Sequence, residues 1–540
     1  MASATDTALV SEDTSETEAV AAGAVGLAAV LFALSLASVF ELVTITDPVA
    51  GVPMVALLGG LLVVLGFAVV TFGVGSRLGY VATDPRPTAG LVASTAFGLV
   101  WFVVGGLVAS QSLGFGTAGW VIGALVTGGA AFAVSAFPRE DIGSTLPAGA
   151  LALFAGIVFL TGVIGPSWVW NLGWEQQASF NAEFTIPVLT AFCSLLVGWA
   201  AAKAYGGFGA RGRHVGAYVL VYLNAISIIA LLFLLVAFTV LKGLPGLFNG
   251  FAFGAGAGPE VTLVGLTFSL PVSWPFVMNG VALLNDVNGV LPAIAGTIWL
   301  VIGAVLFAVP LGVGAAVFIT EYADRGRFTQ VVEIATNGLW STPSIVFGLF
   351  GLAFLVPRLG NQKSLLAGML TLGFMLLPLV VITSRESMLA VPDEYRDASA
   401  ALGVTKWQTI RSIVLPASLP GIVTGIILGV GRIAGETAPI LLTMSGSVAP
   451  PGSQTVDVLG GFQFQYAPPF VTNPELMQAT SALPYQLYSL ITAGVGQSSN
   501  IGAIDEFRWA TALILLVVVL GFYAVGIATR YYFRSKLQHE

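Results

Sequence analysis

Residues Val391–Pro416 read V-P-D-E-Y-R-D-A-S-A-A-L-G-V-T-K-W-Q-T-I-R-S-I-V-L-P. Pro392 suits the first position of a helix, and Asp393 and Glu394 complement the positive end of its dipole. Ala398, Ala400, Ala401 and Leu402 continue that helix with a small, mostly apolar surface, and Gly403 interrupts it. Lys406–Val414 reads as a second short helix, ended before Pro416. The result is a helix–bend–helix at a membrane surface, amphipathic enough to seat in another protein's groove. On composition alone an ordinary interfacial helix pair fits equally well.

On both sides of this stretch the chain turns apolar. Only 9% of its 540 residues are charged, and the mean hydropathy is +0.92. Such a surface cannot be wetted all round, so the bilayer is its solvent. Backbone amides in lipid must be satisfied within their own segment, which makes helices the default. A β-barrel would need short segments of alternating polarity, whereas Val301–Ile319 and Ala512–Ile527 are apolar on all faces. The sequence predicts an all-α polytopic membrane protein with about twelve spans, near 20–42, 52–74, 88–110, 118–137, 145–165, 185–203, 216–241, 292–320, 334–357, 364–384, 418–445 and 508–530.

Lys and Arg favour the cytoplasmic side. With both termini placed there, only Lys242, Arg358, Lys363 and Arg508 of the 20 basic residues fall outside, and Arg432 lies within a span. Two long outside loops, 242–291 and 445–507, are rich in Gly, Pro and aromatics, and a delivery protein could dock there. Residues 1–19 read as a disordered cytoplasmic tail, since a secretory signal would need a basic start. A six-span region of unassigned role, 20–205, precedes a basic linker, 206–215, and a second six-span domain, 216–540. Small-residue faces in the first half (Gly105-Gly106, Gly128-Gly129, Ala130-Ala131) suit close helix packing, and that half is expected to hold few buried charges. Cys193 stands alone in an apolar run and reads as a buried, inert thiol; no disulfide or thiolate metal site follows. His214 and His539 read as solvated loop residues.

The spacing within Val391–Pro416 resembles the cytoplasmic "EAA" loop of ABC importer permeases: Glu-Ala-Ala, three free positions, Gly, a nine-residue gap, then I-x-L-P. Asp397-Ala398-Ser399, Gly403 and Ile413-Val414-Leu415-Pro416 occupy those places, with Asp for Glu and Ser for the second Ala. The resemblance implies a type I importer permease fold whose loop docks on an ATPase subunit. Asp397 would be the charged contact, Ala398 and Ser399 the close-packing surface, Gly403 the bend, and Leu415-Pro416 the end of the motif. No G-x-x-x-x-G-K-[ST] loop and no catalytic Ser/His/Asp or metal cluster is present. The chain is therefore expected to be non-enzymatic and to need no cofactor of its own, ATP and Mg being used by the partner ATPase.

Charge inside a span suggests function. Arg432-Ile433-Ala434-Gly435-Glu436-Thr437-Ala438-Pro439 places Arg432 and Glu436 on one face of an expected helix. An intrahelical ion pair is one reading, but such a pair in lipid stabilises poorly. In a water-filled pathway the guanidinium offers a planar donor fork to an oxyanion, Glu436 moderates its charge, and Thr437 adds a hydroxyl. Pro439 is expected to kink the helix and free a carbonyl. Arg385 is a second candidate, its alternative being an interfacial anchor.

Gly431–Pro439 (G-R-I-A-G-E-T-A-P) resembles the signature helix of phosphate ABC transporter permeases of the PstA type, as do Ile319–Ala323 (I-T-E-Y-A) with the preceding Ala308–Val313, Asn337–Gly351, and Leu483–Tyr488 (L-P-Y-Q-L-Y). The resemblance covers about residues 216–540. It implies a plasma-membrane complex of this subunit, a second homologous permease, two ATPase subunits and an external phosphate-binding protein, moving inorganic phosphate. Membrane lipid is the remaining partner, and nothing points to nucleic acid. Alternatives are another oxyanion, molybdate or sulfate, or a secondary transporter, which the loop at Asp397–Pro416 disfavours.

Overall fold

The computed structural model describes residues 16–171, 179–254, 258, 260–263, 266–269, 271–280, 289–324, 326–445, 455–468, 470–494 and 504–539. Among them, eleven helices are long and apolar enough to cross a membrane, and a bent pair raises the number to as many as 12. Ten of the twelve expected spans fall on single helices, while 334–357 and 418–445 each fall on two helices with a break between them, and the contacts group the chain into two compact units, Met1–Phe238 and Thr239–Glu540.

The first unit holds α1 (Glu16–Val39), α2 (Met54–Leu78), α3 (Leu91–Leu107, wound on as a π turn to Ser112), α4 (Thr117–Ala136), α5 (Glu140–Leu160), α6 (Ala182–Tyr205) and most of α7 (Gly209–Leu247). Helix α1 starts at Glu16, so 16–19 are helical rather than part of a tail; the rest of that expected tail lies outside the described residues. Helix α2 packs on α5, α3 on α4 and α1 on α6. A Cβ on Gly66 would stand 2.7 Å from the Gly149 carbonyl, and one on Gly59 3.1 Å from that of Gly156. Backbones this close leave van der Waals contact to drive association where water cannot. Between α3 and α4, Gly128 likewise faces the Gly98 carbonyl, Gly105 and Gly106 make room for the Thr127, Ala124 and Trp120 side chains, and Gly129 faces open space.

The basic linker is a tight turn: Gly207, Phe208 and Gly209 all have positive φ. The left-handed strain at Phe208 is offset by burial of its ring, 2% exposed. Residues 209–215 already belong to α7, and the division between units lies within that helix instead of at the linker.

Contrary to the expected scarcity of buried charge, the first unit encloses a charged network. Lys203 Nζ lies 2.6 Å from Glu140 Oε1, with both side chains 1% exposed, and donates to Ser144 Oγ at 2.8 Å. Glu140 Oε2 accepts the Arg86 and Gly209 amides at 3.1 and 3.0 Å. Buried Asp141 accepts from Ser76 Oγ at 3.1 Å and from Arg139 Nη2 at 2.9 Å. Glu140 and Asp141 open α5, where the helix dipole favours them.

The second unit contains the end of α7, then α8 (Leu291–Val317, with a π turn Phe318–Tyr322), α9 (Arg327–Ser341), α10 (Ser344–Phe350, extended to Arg358), α11 (Leu365–Leu389), α12 (Asp393–Ala401), α13 (Lys406–Thr409, wound on through a π turn to Val414), α14 (Leu415–Ala434), α15 (Ala438–Thr443), α16 (Leu483–Gly494) and α17 (Ile504–His539). Helix α11 packs between α8 and α14, and α14 also meets α17. Leu300, Leu365, Leu372 and Val380 lie in the core between them. Helices α9 and α10 meet at 101°. The bend falls at Thr342-Pro343, where proline lacks an amide and pushes its predecessor out of the helical region. Two-residue hairpins pair 252–253 with 272–273 and 463–464 with 471–472 in the two long loops.

Candidate functional site: a docking loop and an arginine at a helix break

Helices α12 and α13 form the expected helix–bend–helix. Gly403 has φ +73°, its amide bonds the Ala400 carbonyl, and the Val404 amide bonds that of Ser399. This is the Schellman ending that favours glycine at its left-handed position. Thr405 then caps α13 in a capping box with Gln408. Asp397 and Ala398 are exposed. Ser399 is not: it is 3% exposed, and its Oγ shares a 2.7 Å hydrogen bond with Thr409 Oγ1. It therefore ties the two short helices together instead of lining a docking surface. Leu415 and Pro416 are half-buried at the root of α14, Leu415 against a core of Ala316, Met388, Val391, Val414 and Ile422. The exposed large apolar groups are Tyr395, Leu402, Val404 and Trp407, which the motif alone did not single out.

The stretch around Arg432 is broken, not continuous. Helix α14 stops at Ala434, Gly435–Thr437 form a turn, and α15 restarts with Pro439 in its first turn. A helix running through Pro439 would lose the bond to Gly435, and the ring would clash with that carbonyl. The break thus precedes the proline, and the expected single span 418–445 is two helices. Arg432 and Glu436 still face one another, loosely, with Nε 3.9 Å from Oε1 and side chains 35% and 18% exposed. The guanidinium lies over the Trp340 ring, 4.1 Å from its centroid. Thr437 is half-buried just before α15.

Arg385 is held more tightly. Its Nη2 and Nη1 donate to Glu333 Oε1 at 2.6 Å and Glu386 Oε1 at 2.7 Å. It lines a cavity of about 90 Å³ with Glu333, Thr336 and Asn337 of α9. Glu333, Asn337 and Trp340 recur on one face of that helix. One face of α9 therefore meets Arg385 at one end and Arg432 at the other, about 10 Å apart along the axis at ~1.5 Å per residue. Sequence separation hides this meeting, because Trp340 and Arg432 reach each other only through the tertiary fold.

The family model for "Binding-protein-dependent transport system inner membrane component" matches residues 308–537, which contain every residue of this site. The chain is 42% identical over 246 residues to "Phosphate transport system permease protein PstA 1" of Mycobacterium tuberculosis, covering 46% of this chain and 72% of that protein. It is 33% identical over 258 residues to the PstA protein of Mycobacterium leprae, covering 48% and 76%.

The chain belongs to this family of transport-system permeases.

A solved inward-facing MetNI methionine ABC transporter aligns at 17% identity and TM-score 0.32, over 45% of this chain and 94% of that one. Within the permease, the α12–α13 loop, the helix break and α9 all lie inside the matched segment, whereas α1–α7 precede it. Among the described residues no group of three or more His, Cys, Asp or Glu side chains is placed to hold a metal ion.

Proposed function

We propose that this permease is the membrane-spanning subunit of an ATP-driven phosphate importer. Its second unit offers the anion a route past Arg432, and its α12–α13 loop docks on a separate ATPase subunit. The observation that carries the cargo is the identity to phosphate permeases over most of their length, with Arg432 inside the matched segment. Arg432 suits the task chemically. A guanidinium resting on an indole, whose one paired carboxylate among the described residues stands at 3.9 Å, keeps donors for a tetrahedral oxyanion. Glu436 limits the attraction so that the anion can leave. The loop surface of Asp397, Ala398, Leu402 and Trp407 supplies charge, close approach and apolar anchors for a groove on the ATPase.

In this reading the complex holds a second homologous permease, two ATPase subunits and an external phosphate-binding protein. Both termini lie in the cytoplasm of a plasma-membrane protein. The chain catalyses no reaction itself; ATP and Mg belong to the ATPase. The test is uptake of labelled phosphate at low external concentration by cells lacking this subunit, complemented with wild type or Glu436→Gln, with molybdate and sulfate as competitors. Restored uptake that only phosphate competes supports the cargo. An assembled complex that restores none removes it.

A further inference from the structure

Arg396, one residue before the docking motif, is bound more extensively than the motif residues. Its Nη2 donates to Glu321 Oε1 at 2.9 Å, and its Nε lies 3.3 Å from the same oxygen. Nη2 also donates to the Met388 carbonyl at 3.0 Å. Nη1 donates to the Val391 carbonyl at 2.7 Å and to Asp393 Oδ1 at 3.1 Å. Glu321 sits in the π turn that ends α8 and is only 8% exposed. Met388 lies in the last turn of α11, and Asp393 opens α12. One side chain thus fastens the docking helix to the ends of two spans. Lys406, 5.2 Å over the Tyr322 ring, adds a weaker tie from α13 to the same π turn.

The remainder of α12 is largely exposed, so force on it leaves by two routes. One is the chain itself, through 390–392 into α11 and through α13 into α14. The other is Arg396. A guanidinium with all three nitrogens engaged in a rigid fork has little slack, and its charged partner is nearly buried, where such bonds are strong. Helix α11, at the end of the second route, carries Arg385 opposite Glu333 of α9. Movement of α12 is therefore delivered to helices that border the proposed pathway.

We propose that Arg396 and Glu321 form a positioning pair that transmits ATP-driven displacement of the docking helix to α8 and α11. This rests on the importer reading above. The test uses the full complex in proteoliposomes, with Arg396→Gln, Glu321→Gln and the double variant. Three quantities are read: co-purification of the ATPase subunits, phosphate moved per ATP hydrolysed, and the ATP-dependent change in labelling rate of a cysteine placed by Asn337→Cys on α9. Expected are retained ATPase subunits and continued hydrolysis. Phosphate per ATP should fall about tenfold in each single variant, the size of one lost charge-assisted bond, with a blunted labelling change. The double variant should be no worse than either single one, because both remove the same interaction. Wild-type phosphate per ATP in the single variants, additive losses in the double variant, or loss of the ATPase subunits would each overturn the proposal. If wild type moves no phosphate yet labelling responds to ATP, the cargo reading fails, and the blunting in the variants still decides the pair's role.

Discussion

Three arginines of the second unit carry the same charge and differ in what already binds it. Arg385 has two carboxylates within 2.7 Å, Arg396 has Glu321 and Asp393 within 3.1 Å, and Arg432 has Glu436 at 3.9 Å plus an indole face. An anion competing for Arg385 must displace carboxylates, whereas at Arg432 it meets available donors. Trp340→Leu should therefore weaken anion binding by removing a cation–π contact worth about 0.5–2 kcal/mol, seen as a reduced uptake rate at limiting phosphate. Arg432→Lys should also reduce uptake although it keeps the charge, because an ammonium cannot reproduce the planar fork. Equal uptake by wild type and the lysine variant would show that charge alone suffices. In the α12–α13 loop, Gly403 has open space around its Cα but φ +73°. Gly403→Val should cost about 1–2 kcal/mol through backbone strain alone, lowering recovery of the ATPase subunits in a pull-down while the permease still inserts.

At the level of elements, the sequence announces what is local. Apolar runs of span length and Gly403 as an ending need only neighbours along the chain, whereas the span expected over 334–357 is broken at Thr342-Pro343. What it conceals needs contacts across it. Arg432 and Glu436 share a helical spacing, yet Gly435 and Pro439 break the helix between them. Ser399 occupies a docking position in the motif, but Thr409, ten residues on, draws it inward. The Trp340–Arg432 stack arises from packing that no periodicity encodes. The break itself is testable. In Pro439→Ala the missing amide returns and the ring clash with Gly435 disappears, so α14 is free to run into α15. Spin labels flanking 434–438 should then report a straighter segment, and uptake should fall as Arg432 and Glu436 close into an ordinary intrahelical pair. Unchanged label distances would place the cause of the break in Gly435 and tertiary contacts.

Across the whole chain, the permease-family segment begins at residue 308, yet among the described residues the most deeply buried charges lie far before it. Lys203, Glu140 and Asp141 sit among α2, α5 and α6, and Glu140 also receives the amide that opens α7. Desolvating such groups is costly, and the pair is tolerated because each carboxylate oxygen has a partner and Lys203 also meets Ser144 and the Trp199 ring, 4.8 Å away. The first unit is therefore held by a network that fails if one member goes. Lys203→Met should destabilise it by about 3–5 kcal/mol, since Glu140 is left charged and unpaired. Adding Glu140→Gln should restore much of that loss, because a neutral amide oxygen still accepts from Arg86 and Gly209 without needing a cation. Thermal unfolding of the full chain in detergent, followed by proteolysis within 80–86 or 206–209, measures both. A double variant as unstable as Lys203→Met would mean that the ammonium's contacts with Ser144 and Trp199, not its pairing with Glu140, hold the unit together.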